Sequence, residues 1–212
     1  PTLKQLENFA KATRVPIGYL FLPRPPEEAI PIPDYRTVAG RRLSRPSPDL
    51  LDTIHLCQER QAWYREYARS AGIEPLDFVG SLRIRAAPEE AAAKMRHALG
   101  MDMEARAVMA TWAEALRRFV EQADNLGALV MCSGVVLNNN RRKLAPDEFR
   151  GFALTDDLAP LIFINGSDSK SAQMFTLAHE LAHLWLGQSA LSDAAPTSIP
   201  DHAVEGWCNR VA

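Results

Sequence analysis

His179, Glu180 and His183 stand in the run MFTLAHELAHLWLG as an HExxH. On a helix, residues four apart share one face, so both imidazoles can reach one metal ion without loop rearrangement. Glu180 follows His179 by one residue. Its side chain leans to the flank of the pair, where it can take a proton from water. The chemistry implied is hydrolysis assisted by a bound metal. The rest of the run is apolar (Phe175, Leu177, Ala178, Leu181, Ala182, Leu184, Trp185), the pattern of a core helix. Two histidines and a glutamate are costly there unless paired or coordinated. The competing reading is two hydrogen-bonded core histidines beside an exposed Glu180.

A catalytic zinc ion (Zn2+) takes three protein ligands and keeps a fourth position open. The longer form HExxHxxGxxH is absent, because Leu186 and Ser189 stand where Gly and His are required. The downstream candidates for a third ligand are Asp193, Asp201, His202, Glu205 and Cys208. Asp193 falls in the polar loop Gln188–Ser198 and is poorly held, and Cys208 reads as a small core filler. Pro200 reads as a helix start with Asp201 in its first turn. Glu205 then lies one turn in, where a rigid helix can aim it at the first helix. Asn209 follows on the same face and can accept from the free N–H of a ligating histidine. His202 is a rival ligand or an electrophile beside a developing oxyanion, set against the plainer reading of a surface histidine.

These residues need elements to hold them. Asp168 or Ser169 can cap the HExxH helix and Gly187 can end it. Before it, Gly127–Val136, Phe152–Leu154 and Leu161–Ile164 read as strands, with a turn at Asn138–Asn140. An exposed edge of Leu161–Ile164 would hold an extended substrate by strand addition. Earlier still, helical patterns run from Asp49 to near Gly72, from Pro88 to Gly100 and from Glu104 to Asn125. The order predicts an α+β domain with a small sheet. Residues 42–103 are expected to pack on the core, and the sequence assigns them no chemical role. The basic groups Arg41-Arg42 with Arg45, and Arg141-Arg142-Lys143, read as solvated loop charge.

The bulk features exclude more than they indicate. The chain has 212 residues, 47% apolar and 24% charged, with a net charge of −2. Such composition excludes a disordered tail, a fibre and a disulfide-stapled mini-protein, and gives no electrostatic footprint for nucleic acid or membrane. Three widely spaced cysteines, Cys57, Cys132 and Cys208, suit reduced thiols and a cytoplasmic protein. Seven of the 15 prolines fall between Pro23 and Pro48, a linker or extended strap. Ahead of it, Leu3, Leu6, Phe9 and Ala10 recur at helical spacing after Pro1 and Thr2, and Val15-Pro16 stops that helix. The start at Pro1 and the stop at Ala212 within a helical pattern read as an excised piece of a longer protein.

MFTLAHELAHLWLG, preceded by DEFRGFALTDDLAPLIFINGSDS and followed by Glu205 and Asn209, resembles the ImmA/IrrE family of zinc metallopeptidases over roughly residues 104–212. The resemblance implies a zincin-like fold, with His179, His183 and Glu205 as zinc ligands and Glu180 as base. It also implies a protein substrate such as a transcriptional repressor, cut in response to a stress or mobile-element signal. The family helix usually continues past Asn209 with further core residues. PTLKQLENFAKATRVPIGYLFLPRPPEE resembles the last helices of an XRE-type helix-turn-helix domain, whose DNA-reading helix is absent here. The expected organisation is a helix-turn-helix remnant at 1–22, a Pro-rich linker at 23–48, and a helical region with a C-terminally truncated zincin-like domain at 49–212. A second reading, from another class, is a DNA-binding regulator or antitoxin-like module with a non-catalytic metal site. The intact Glu180 argues against it, because a structural site does not need that residue.

Overall fold

Leu161-Ile162-Phe163-Ile164 is an unbroken apolar run, and such a run can be a strand only if both faces of its sheet are covered. In the computed structural model both are. The structure describes all residues except 25, 27–29, 35–36, 39–40, 43–45, 102–110 and 193–202. Among the described residues there are six α-helices: α1 (Leu3–Thr13), α2 (Pro48–Ser70), α3 (Pro88–Ala98), α4 (Trp112–Asn125), α5 (Lys170–Leu186) and α6 (Ala203–Val211). The strands are β1 (Thr37–Val38), β2 (Arg41–Arg42), β3 (Leu129–Ser133), β4 (Val135–Val136), β5 (Asn139–Lys143), β6 (Gly151–Leu154), β7 (Leu161–Asn165) and β8 (Ala190–Ser192). None of these helices is long and apolar enough to cross a membrane.

The main sheet runs β3-β7-β6-β8. β3 is parallel to β7, and the other two pairings are antiparallel. Alternate residues of each strand serve opposite faces. Phe152, Leu154, Leu161, Phe163 and Leu191 meet Leu50, Ile54 and Cys57 of α2. Ala153, Ile162 and Ile164 face the other way, into a core with Leu116 and Phe119 of α4, Leu177 and Leu181 of α5, and Trp207 of α6. The α+β expectation therefore holds, as a small mixed sheet between two helical layers.

Several expectations change. β7 is central, with β3 on one side and β6 on the other, so Leu161–Ile164 has no free edge for a substrate strand. The strand expected over Gly127–Val136 breaks at Gly134, where a Cβ would lie 2.7 Å from Ser167 Oγ. β4 then pairs with β5 as a separate hairpin. Its turn is centred on Leu137 and Asn138, at φ 50° and 59°, so Asn139 and Asn140 belong to β5. The helix expected from Glu104 starts at Trp112 instead. Extended Thr111 (φ −133°) accepts the Glu114 amide and ends it, and residues 102–110 lie outside the described set. Arg142 is no solvated loop charge. Its guanidinium bonds Asp49 and Asp52 of α2, each at 2.6 Å, and Asp49 also pairs with Arg14 at the end of α1.

The unassigned stretch before α3 has a role in position. Gly80 N–H donates to Leu184 O (3.0 Å) and Leu82 N–H donates to Trp185 O (2.9 Å), satisfying carbonyls left open at the C-terminus of α5. Phe78 lies on Trp185 with ring centroids 4.5 Å apart. Trp207 of α6 donates its indole N–H to Ala86 O at 2.9 Å. One strap, residues 76–86, therefore anchors both helices that carry the candidate site.

Candidate metal centre

α5 begins where the sequence says it should. Ser169 is the N-cap, its hydroxyl accepting from Ala172 N–H at 3.3 Å. Gly187, at φ 71°, supplies the left-handed residue that ends the helix. Gln173 is fully buried and donates to Gly166 O and Asp168 O, tying the first turn of α5 to the end of β7. The helix is thereby fixed in register against the sheet before any metal is considered.

His179, Glu180 and His183 are each 0% exposed, and Glu205 is 5% exposed. The reading with a solvent-facing Glu180 does not survive this. Glu205 sits in the first turn of α6 and reaches across to α5. His179 Nε2 lies 3.2 Å from Glu205 Oε2, and His183 Nε2 lies 3.0 Å from Glu205 Oε1. The two Nε2 atoms are 3.1 Å apart. Two imidazole nitrogens and a carboxylate oxygen, all within 4.8 Å of one another, make a donor set that can hold a metal ion. The chemistry of the set fits a cation, since two imidazole nitrogens and a carboxylate are the donor types that transition metals such as zinc take. His179 Nδ1, also buried, has no hydrogen-bond partner among the described residues.

The charges follow from this packing. Burial alone would raise the Glu205 carboxyl, but hydrogen bonds and charge from His179 and His183 outweigh it and bring it to about 2. Burial pushes His183 below the ordinary imidazole value; Glu205 opposes that shift and His179 adds to it. Burial and the negative charge of Glu205 push Glu180 well above the ordinary carboxylate range, with the Ser192 hydroxyl pulling the other way. A buried carboxylate so raised beside a metal-competent cluster is the arrangement expected of a general base.

Of the other sequence candidates, Asn209 is half-buried on α6, one turn beyond Glu205. Cys208 is buried, and its thiol is pushed up by burial, then by Glu205 and Glu180, so it serves as core. Asp193, Asp201 and His202 lie outside the described residues. Sequence reasoning missed Gly151 and Ser192. A Cβ on Gly151 would stand 2.5 Å from Thr176 Cγ2 and 3.3 Å from Glu180 Cγ, so this glycine lets β6 approach the site helix. A glycine opening an apolar strand was the available signal.

An HExxH helix packed on a small mixed sheet, met by a carboxylate from the following helix, defines a zincin-like metallopeptidase domain. The family comparison agrees. Residues 123–203 match the model of the IrrE N-terminal-like domain, Peptidase_M78, a match that supports the ImmA/IrrE family of metallopeptidases. The matched stretch stops just before Glu205, so that residue's place beside the histidines comes from the geometry. Comparisons with curated proteins and with solved structures give no match.

Proposed function

We propose that the protein is a zinc-dependent endopeptidase of the ImmA/IrrE type that cleaves a transcriptional repressor or a similar regulatory protein. The observation that carries this reading is the convergence of His179, His183 and Glu205 on one point with buried Glu180 beside them. His179 and His183 would hold zinc through Nε2, and Glu205 through its carboxylate. When bound, zinc supplies Lewis-acid polarisation of a peptide carbonyl and acidifies water. Glu180 takes the proton from the attacking water and passes it to the leaving amine. Asn209, one turn beyond Glu205, would help to fix the α6 side of the site.

The test is co-expression with a candidate repressor substrate, wild type against Glu180→Gln, with metal analysis of both proteins. The expected outcome is one zinc per chain in each and cleavage by the wild type alone. Equal cleavage by Glu180→Gln would remove Glu180 from the mechanism. Stoichiometric zinc without cleavage of that repressor would favour a regulator with a structural or sensory metal.

A further inference from the structure

Ser192 closes β8 and is fully buried, and its hydroxyl makes no well-formed hydrogen bond among the described residues. In the β6–β8 register it stands opposite Gly151. Opposed residues of an antiparallel pair project to the same face. That face is the one α5 covers, because a Cβ on Gly151 would lie 3.3 Å from Glu180 Cγ. Gly151 has no side chain, so the space between the sheet and Glu180 is left to the side chain across the pair. Both carboxylate oxygens of Glu180 are buried and likewise lack a well-formed hydrogen bond among the described residues. One buried donor and one buried acceptor thus face each other at the same register.

We propose that Ser192 is a positioning residue for Glu180. Its O–H donates to one carboxylate oxygen and selects one orientation of the group, leaving the second oxygen to accept the proton. A hydroxyl has a single proton to give, so it cannot occupy both oxygens. A rigid strand sets that donor more sharply than a loop would. The inference rests on the peptidase reading of the same site.

The experiment compares wild type, Ser192→Ala, Glu180→Gln and the double variant. Ser192→Ala is expected to lower kcat ~10-fold, the scale of one hydrogen bond to a charged group. KM and metal content stay unchanged. In the Glu180→Gln background the second substitution costs nothing further. Isotope-edited infrared spectra of the protein as purified supply a readout independent of activity. The Glu180 carboxylate band, identified by its loss in Glu180→Gln, shifts in Ser192→Ala. An unmoved band overturns the proposal whatever happens to kcat, and so does a shifted band with unchanged kcat in an active wild type. If the wild type cleaves nothing while the band still shifts, the peptidase reading fails and the contact stands.

Discussion

At Gly151 the main chain of β6 passes against the side chains of α5. A methyl group there would meet Thr176 Cγ2 at 2.5 Å and Phe163 O at 2.8 Å, and the second of these is backbone. Gly151→Ala must therefore push strand and helix apart. We expect a loss of about 1–3 kcal/mol, seen as a fall in Tm of roughly 2–10 °C. An unchanged melt would show that α5 can retreat without strain. The HExxH itself was legible because its geometry is local: four residues along a helix is one face in any fold. Gly151 and Ser192 were not, because their meaning lies in pairing with each other and packing on Glu180. Gly151 stands 41 residues from Ser192 and 29 from Glu180, and Ser192 stands 12 from Glu180; no spacing rule links them.

At the scale of elements, α2 does more than cover the sheet. Buried Gln61 donates its Nε2 protons to Leu154 O and Ala159 O, both at 2.9 Å, and so holds the connection between β6 and β7. Gln61→Ala leaves two buried carbonyls without their donor. The expected cost is about 2–4 kcal/mol, read as a lowered midpoint in urea; a shift of a few tenths would mean that water replaces the amide. The caps of α5 were readable, since Ser169 and Gly187 act on their own helix ends. The strap at 76–86 was not, because Gly80 and Leu82 satisfy carbonyls of a helix that begins some 90 residues later. The free edge expected at Leu161–Ile164 failed for a related reason. A uniformly apolar strand signals two covered faces, and it says nothing about which neighbours flank its edges.

For the molecule as a whole, acid stability has a definite contributor. Burial would raise the Asp156 carboxyl, but Arg65 at 2.8 Å and the amides of Leu158 and Ala159 outweigh it and hold the group below its ordinary value of 3.8. A carboxyl depressed in the folded state contributes stability that is complete above its unfolded value and is lost as pH falls through the folded one. The unfolding free energy of wild type minus that of Asp156→Asn should be flat above about pH 5 and shrink below about pH 4. A difference that persists unchanged to about pH 2 would remove Asp156 from the acid response. Asp156 joins α2, through Arg65, to the β6–β7 connection, so the same pair also couples the helical layer to the sheet.

Sequence by itself determined the helix that bears His179, Glu180 and His183, its caps, the apolar strands before it and the α+β class. Each of these is set by the period of side chains along one element or by residues next to one another in the chain. The tertiary structure decided that Glu205 reaches both imidazoles, that Glu180 is buried, that Gly151 and Ser192 border it, and that residues 76–86 clamp both site helices. Those facts depend on how separate elements dock, and docking is chosen by the packing of whole faces. It brings residues distant in the chain into contact and withdraws their charges from water.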